Sequence, residues 1–97
     1  MIRHCVLFRF TDATSAEDIE RISAAASELP GKIAAIGGYV FGPDLRLGEG
    51  SWDFAIVGDF ADADAWAIYD AHPDHDRFRR EVIGPHVAER CAVRFAL

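Results

Sequence analysis

Residues Ile2 to Phe10 alternate with a period of two yet carry apolar side chains on both faces. Ile2, His4, Val6, Phe8 and Phe10 share one side, and Cys5 and Leu7 stand on the other between Arg3 and Arg9. The stretch around Phe54 repeats the pattern, with Phe54 and Ile56 opposed to Ala55 and Val57. Strands of this kind belong in a sheet that is covered on both sides. In a chain of 97 residues there is little else to provide the cover, so this demand limits what the chain can become.

The remaining elements follow from local signals. Thr11–Thr14 reads as a turn, and Ser15 with Asp18 forms a capping-box pattern that opens a helix. Ile19, Ile22, Ala26 and Leu29 make its apolar stripe, and Pro30-Gly31 is expected to end it. A second strand is expected at Ile36–Phe41, then a glycine-rich loop at residues 42–51, then a third strand at Trp52–Phe60. A helix over Ala61–Ala71 breaks at His72-Pro73, and a further helical segment spans Asp74–Ile83. Gly84-Pro85 interrupts it, and a final strand is expected at Ala92–Leu97. The order β-α-β-β-α-(α)-β is that of a single α+β, ferredoxin-like domain with a four-stranded antiparallel sheet. Its helices cover one face of the sheet. A second copy packed sheet to sheet is the simplest cover for the other, which predicts a twofold homodimer with its sheets face to face. The alternative is a monomer with a modestly apolar open face.

The formal net charge of −6 argues against nucleic acid or an anionic membrane as partner. No apolar stretch approaches the roughly 20 residues that cross a bilayer, and the amino-terminal run reads as strand rather than leader, so a cytoplasmic location is expected. The two cysteines, Cys5 and Cys91, read as reduced thiols. With the last strand starting at Ala92 they are expected at opposite ends of neighbouring strands, too far apart for a disulfide. Seven Phe, two Trp and two Tyr exceed what one small core requires and suggest a cavity or an interface.

Chemistry concentrates in Tyr69-Asp70-Ala71-His72-Pro73-Asp74-His75. Histidine exchanges protons near neutrality, and His4 lies on the inward face of the first strand. If the fold gathers His4, Tyr69 and His75, the chain holds the parts of an acid–base site. His75 can serve as general base, Tyr69 as hydrogen-bond donor to a developing oxyanion, and His4 as their support. Each also has a plain structural reading: a helix-start cap, an aromatic stripe with Trp66, and a strand-to-turn hydrogen bond. His72 reads as structural and His86 as surface. A zinc site from His4, His72 and His75 lacks a completing ligand and has a proline in its middle, so no metal set is expected. Phe8, Phe54, Ile56 and Trp66 are candidates to line an apolar, substrate-binding pocket.

Ile2–Phe10, the strand Asp53–Val57, and His-Pro-x-His followed by Phe78 and Pro85 together resemble the stress-responsive α/β-barrel (Dabb) domains over nearly the whole chain. The resemblance implies a ferredoxin-like fold and a dimeric α+β barrel. It also points to a plant polyketide cyclase of that family, which closes a poly-β-keto chain by an intramolecular aldol reaction without a cofactor. Its two histidines and its tyrosine match His4, His75 and Tyr69. That enzyme uses a further tyrosine in its first helix, which this chain lacks. Some relatives hold a divalent cation through backbone carbonyls, which would fall near Ser27 to Ile33. The expected function is cofactor-independent proton transfer or aldol cyclisation on a small hydrophobic carbonyl or aromatic ligand. The alternatives are a non-catalytic, stress-responsive ligand-binding barrel and a cofactor-free monooxygenase.

Overall fold

The computed structural model describes all 97 residues. β1 spans Ile2–Phe10, α1 Ala16–Lys32, β2 Gly38–Pro43, β3 Phe54–Phe60, α2 Ala63–Ala71 and α3 Pro73–Arg77. α3 runs into a π-helical turn at Phe78–Ile83 and a 3-10 turn at Gly84–His86, and β4 closes the chain at Val87–Ala96. The strands form one sheet in the order β2-β3-β1-β4, antiparallel throughout. This is the ferredoxin-like α+β fold expected from the element order. No helix is long and apolar enough to cross a membrane.

α1 begins as its sequence dictates. The Ser15 hydroxyl accepts from the Asp18 backbone N–H at 3.1 Å, and the Asp18 carboxylate accepts from the Ser15 N–H at 2.9 Å. Its end differs from expectation, because the helix passes through Pro30 to Lys32. Pro30 removes a single backbone donor in the last turn, and that turn is held by burial of Leu29 and Ile33 against the sheet. α2 opens on Asp62, whose carboxylate accepts from the Ala65 N–H at 2.8 Å. α3 opens on His72, whose Nδ1 accepts from the Asp74 N–H at 3.1 Å, with Pro73 at the first helical position, a slot where its missing N–H is harmless.

The helices cover one face of the sheet. Val6 and Phe8 of β1 and Phe54, Ile56 and Phe60 of β3 pack there against Ile22, Ala26 and Leu29 of α1, with Tyr69, Phe78 and Ile83 completing the core. On the opposite face Leu7, Val40, Val93 and Phe95 remain 37, 65, 58 and 46% exposed. A bidentate pair between Arg3 and Asp59, at 2.8 and 3.0 Å, links β1 to β3 on that side.

β4 is five residues longer at its start than its apolar pattern suggests, and this overturns the expectation for the cysteines. It pairs with β1 from Ile2↔Ala96 to Phe10↔Val87. Cys91 therefore lies opposite Leu7 while Cys5 faces Val93. The two free thiols are diagonal neighbours on the open face rather than at opposite ends of the strands. The polar run Ala88-Glu89-Arg90 disguised the first half of β4. An edge strand can carry such residues, since neither of its faces is deeply buried.

Candidate functional site

The sheet register places one row of residues under the helices: Arg94 on β4, His4 on β1, Gly58 on β3 and Tyr39 on β2. A side chain at position 58 would meet the Phe60 ring at 3.0 Å and Tyr39 at 3.3 Å. The glycine thus leaves room for the aromatic groups on either side. Beyond His4 along β1, a cavity of about 320 Å³ opens between sheet and helices. His4, Val6, Phe8 and Ile56 form its floor, with Val87 and Arg90 from β4. Tyr69, Asp70, His75, Phe78, Arg79, Ile83 and Gly84 form its roof.

The three residues singled out in the sequence meet in this cavity. Tyr69 and His75 stack with ring centroids 4.1 Å apart and planes 27° from parallel. Tyr69 also presents its edge to His4, at 6.2 Å. The proline break between α2 and α3 makes this possible, because it returns the chain so that position 75 lies back against position 69. The His75 Nδ1 is 3.1 Å from the Asp70 carbonyl oxygen. A carbonyl only accepts, so Nδ1 carries the proton and Nε2 keeps its lone pair.

Burial sets the protonation of the group. It pushes His4 down to about 4, with the nearby Arg94 and Arg90 charges acting in the same direction. It also holds His75 below the ordinary histidine value, opposed in part by the hydrogen bond to the Asp70 carbonyl. Both imidazoles are neutral at pH 7. The His4 Nδ1 is buried with no hydrogen-bond partner, an uncommon condition for a polar atom inside a protein. Burial raises Tyr69 and Tyr39, whose hydroxyl oxygens lie 2.9 Å apart.

Phe8 and Ile56 line the cavity as expected, whereas Phe54 and Trp66 do not. Phe54 sits at the far end of β3, packed on Phe10 at 5.8 Å. Its remaining edge lines a different hollow of about 560 Å³ beneath the β2–β3 loop, with Leu7, Leu45, Leu47 and Trp52. Alternation assigned Phe54 to the correct face, but its position along the strand put it beyond the cavity. The Trp66 ring lies between His4, at 6.1 Å, and the Arg94 guanidinium, at 4.3 Å. Its indole N–H is buried without a partner. His86 lies outside the site, 3.2 Å from the Thr14 hydroxyl.

Tyr39, Arg79 and Arg90 were missed. Tyr39 alternates with Phe41 on the inward face of β2, a signal present in the sequence. Arg90 belongs to the part of β4 hidden by its polarity. The backbone near Ser27–Ile33 is the end of α1, where the Leu29 and Ile33 carbonyls already accept from the Ile33 and Ile36 N–H groups.

A ferredoxin-like α+β domain with a His–Tyr–His group in a cavity beneath its helices is thus the class that fold and site define. The chain belongs to the stress responsive A/B barrel domain family, Dabb, whose model matches residues 2–96. A crystal structure from Thermobifida fusca, described as a dimeric ferredoxin-like protein of unknown function, is 42% identical with a TM-score of 0.92, covering 99% of this chain and 90% of that one. A dimeric ferredoxin-like protein of unknown function from Bacteroides fragilis is 25% identical with a TM-score of 0.87, covering 99% and 95%. An uncharacterized protein of Streptomyces coelicolor is 37% identical over 84 residues, 77% of this chain and 79% of that one.

Proposed function

We propose that this protein is a cofactor-independent acid–base catalyst acting on a small carbonyl compound, with polyketide-cyclase-like aldol closure as its chemistry. The observation that carries the reading is the Tyr69–His75 stack, with the His75 Nδ1 proton committed to the Asp70 carbonyl. A neutral imidazole with a fixed tautomer in a mostly apolar cavity is suited to removing a proton from carbon.

His75 Nε2 takes the proton alpha to a carbonyl, and the C–H electron pair moves onto the carbonyl oxygen. Tyr39 donates to the Tyr69 oxygen, which frees the Tyr69 proton to stabilise that enolate oxygen. The enolate carbon then attacks a second carbonyl of the same molecule. The new alkoxide recovers the proton from the His75 imidazolium, and the group returns to its starting state. His4 supports the arrangement from the floor.

The working unit proposed is a homodimer. The open face of the sheet carries Leu7, Val40, Val93 and Phe95, and the 42%-identical relative is described as dimeric. A cytoplasmic location remains part of the same proposal.

Hydrogen–deuterium exchange at the methyl group of acetophenone in D2O tests the proton-transfer step without knowledge of the natural substrate. The protein should accelerate exchange, and His75→Ala should abolish the acceleration while the oligomer and the circular dichroism spectrum stay unchanged. Equal exchange by the wild type and His75→Ala removes the assignment and leaves a binding barrel.

A further inference from the structure

The cavity holds two guanidinium groups in different circumstances. Arg79 is tied to Asp70 at 3.2 Å and to Asp76 at 3.3 Å, so its charge is largely matched. Arg90 projects from β4, opposite Phe8, onto the same face of the sheet, and forms no ion pair. With both histidines neutral, Asp70 and Arg79 cancel and Arg90 leaves the cavity with one net positive charge. The Arg90 charge acts on His4, Tyr69 and His75 alike, favouring the deprotonated form of each.

A second observation also points to a ligand. His4 is only 5% exposed and lines the cavity floor, and its ring is neutral. An exposed, unpaired guanidinium at the mouth, the Tyr69–His75 stack inside and apolar walls between them suit a molecule with an anionic head, a polar middle and a hydrophobic body.

We infer that Arg90 is a specificity-determining residue, and that the cavity takes an amphipathic carboxylate: a small keto acid whose carboxylate pairs with Arg90 while its apolar part packs on Val6, Phe8 and Phe78. This inference rests on the carbonyl chemistry proposed above and adds its substrate class. The guanidinium fork matches a carboxylate in two parallel hydrogen bonds, and an ammonium at the same position offers only a point charge. Placed over Arg90, the carboxylate holds the remainder of the acid against the Tyr69–His75 stack.

The probes are 4-oxo-4-phenylbutanoate and the corresponding uncharged amide, titrated into the protein and followed by the ring resonances of His4 and His75. Wild type should bind the acid at least about tenfold more tightly than the amide, the scale of one charge-assisted pair. Arg90→Gln should bring the ratio close to one by weakening the acid alone, and Arg90→Lys should keep part of the preference. An acid-to-amide ratio that is unchanged in Arg90→Gln, or already near one in the wild type, overturns the inference and leaves the carbonyl-binding cavity standing. If neither probe moves the His4 and His75 resonances, the cavity reading and this inference fall together.

Discussion

The Tyr39 and Tyr69 hydroxyl oxygens lie 2.9 Å apart, one on the far strand of the sheet and the other on the helix above it. The contact ties α2 to β2 and orients the hydroxyl that the proposed chemistry uses. The hydroxyl partner of Tyr69 thus comes from β2. Tyr39→Phe keeps the ring packing and deletes the hydrogen bond, so it should cost about 1 kcal/mol in chemical denaturation. It should also lower the turnover rate more than it changes substrate binding. Equal effects on the two would mean that Tyr39 acts only on stability.

Acid should destabilise the protein through His4. In the unfolded chain this imidazole takes a proton near 6.5, whereas in the folded protein it stays neutral down to about 4. The unfolded state therefore binds more protons across that interval. The His4 contribution is complete above pH 6.5 and is lost as pH falls towards 4, by about 3 kcal/mol in total. His75 acts in the same direction. Urea midpoints measured across this range should fall less steeply for His4→Gln than for the wild type, and parallel curves would contradict the assignment.

Catalysis should lose activity on the acid side as well. The proposed base works only when neutral, and burial holds His75 below its ordinary value. The rate should therefore be flat through neutrality and decline only below the usual histidine titration range. A decline already under way at pH 7 would show that another group serves as base.

Gly84 is required where the π-helical turn passes into the 3-10 turn. A Cβ at this position would lie 2.4 Å from the Arg79 carbonyl oxygen, a backbone atom that cannot step aside. Gly84→Ala should lower stability by about 2 kcal/mol or more and displace the Arg79 side of the cavity. Thermal melting and probe binding report the two effects. Gly42→Ala, where nothing lies within 4 Å, is the control.

Val93→Asp puts a charge in the middle of the open face of the sheet without touching the cavity. Sedimentation should show loss of the dimer, with the secondary structure retained. An unchanged oligomer would place the proposed interface elsewhere.

The fold was legible because β1 and β3 alternate without ambiguity and proline and glycine mark most of the boundaries. The differences have separate physical causes. β4 is an edge strand, so its polar first half carries no apolar period, and Arg90 and the placement of Cys91 were hidden with it. Pro30 looks like a helix end, yet packing of Leu29 and Ile33 outweighs one missing hydrogen bond. The meeting of His4, Tyr69 and His75 could be anticipated because two of them flank one proline break and the third lies inward on the first strand. Phe54 and Trp66 share the inner side with the cavity but stop short of it, because distance along an element is not encoded in alternation.

The cavity is assembled from parts of unequal tolerance. Its floor is locked by the β1–β3 register, where a shift of one residue would turn His4 outward. Its other wall comes from a solvent-facing edge strand, where Arg90 is exposed, and a π-helical turn, where Arg79 is exposed. Substitutions on that wall would change which molecules the cavity admits without moving His4, Tyr69 or His75.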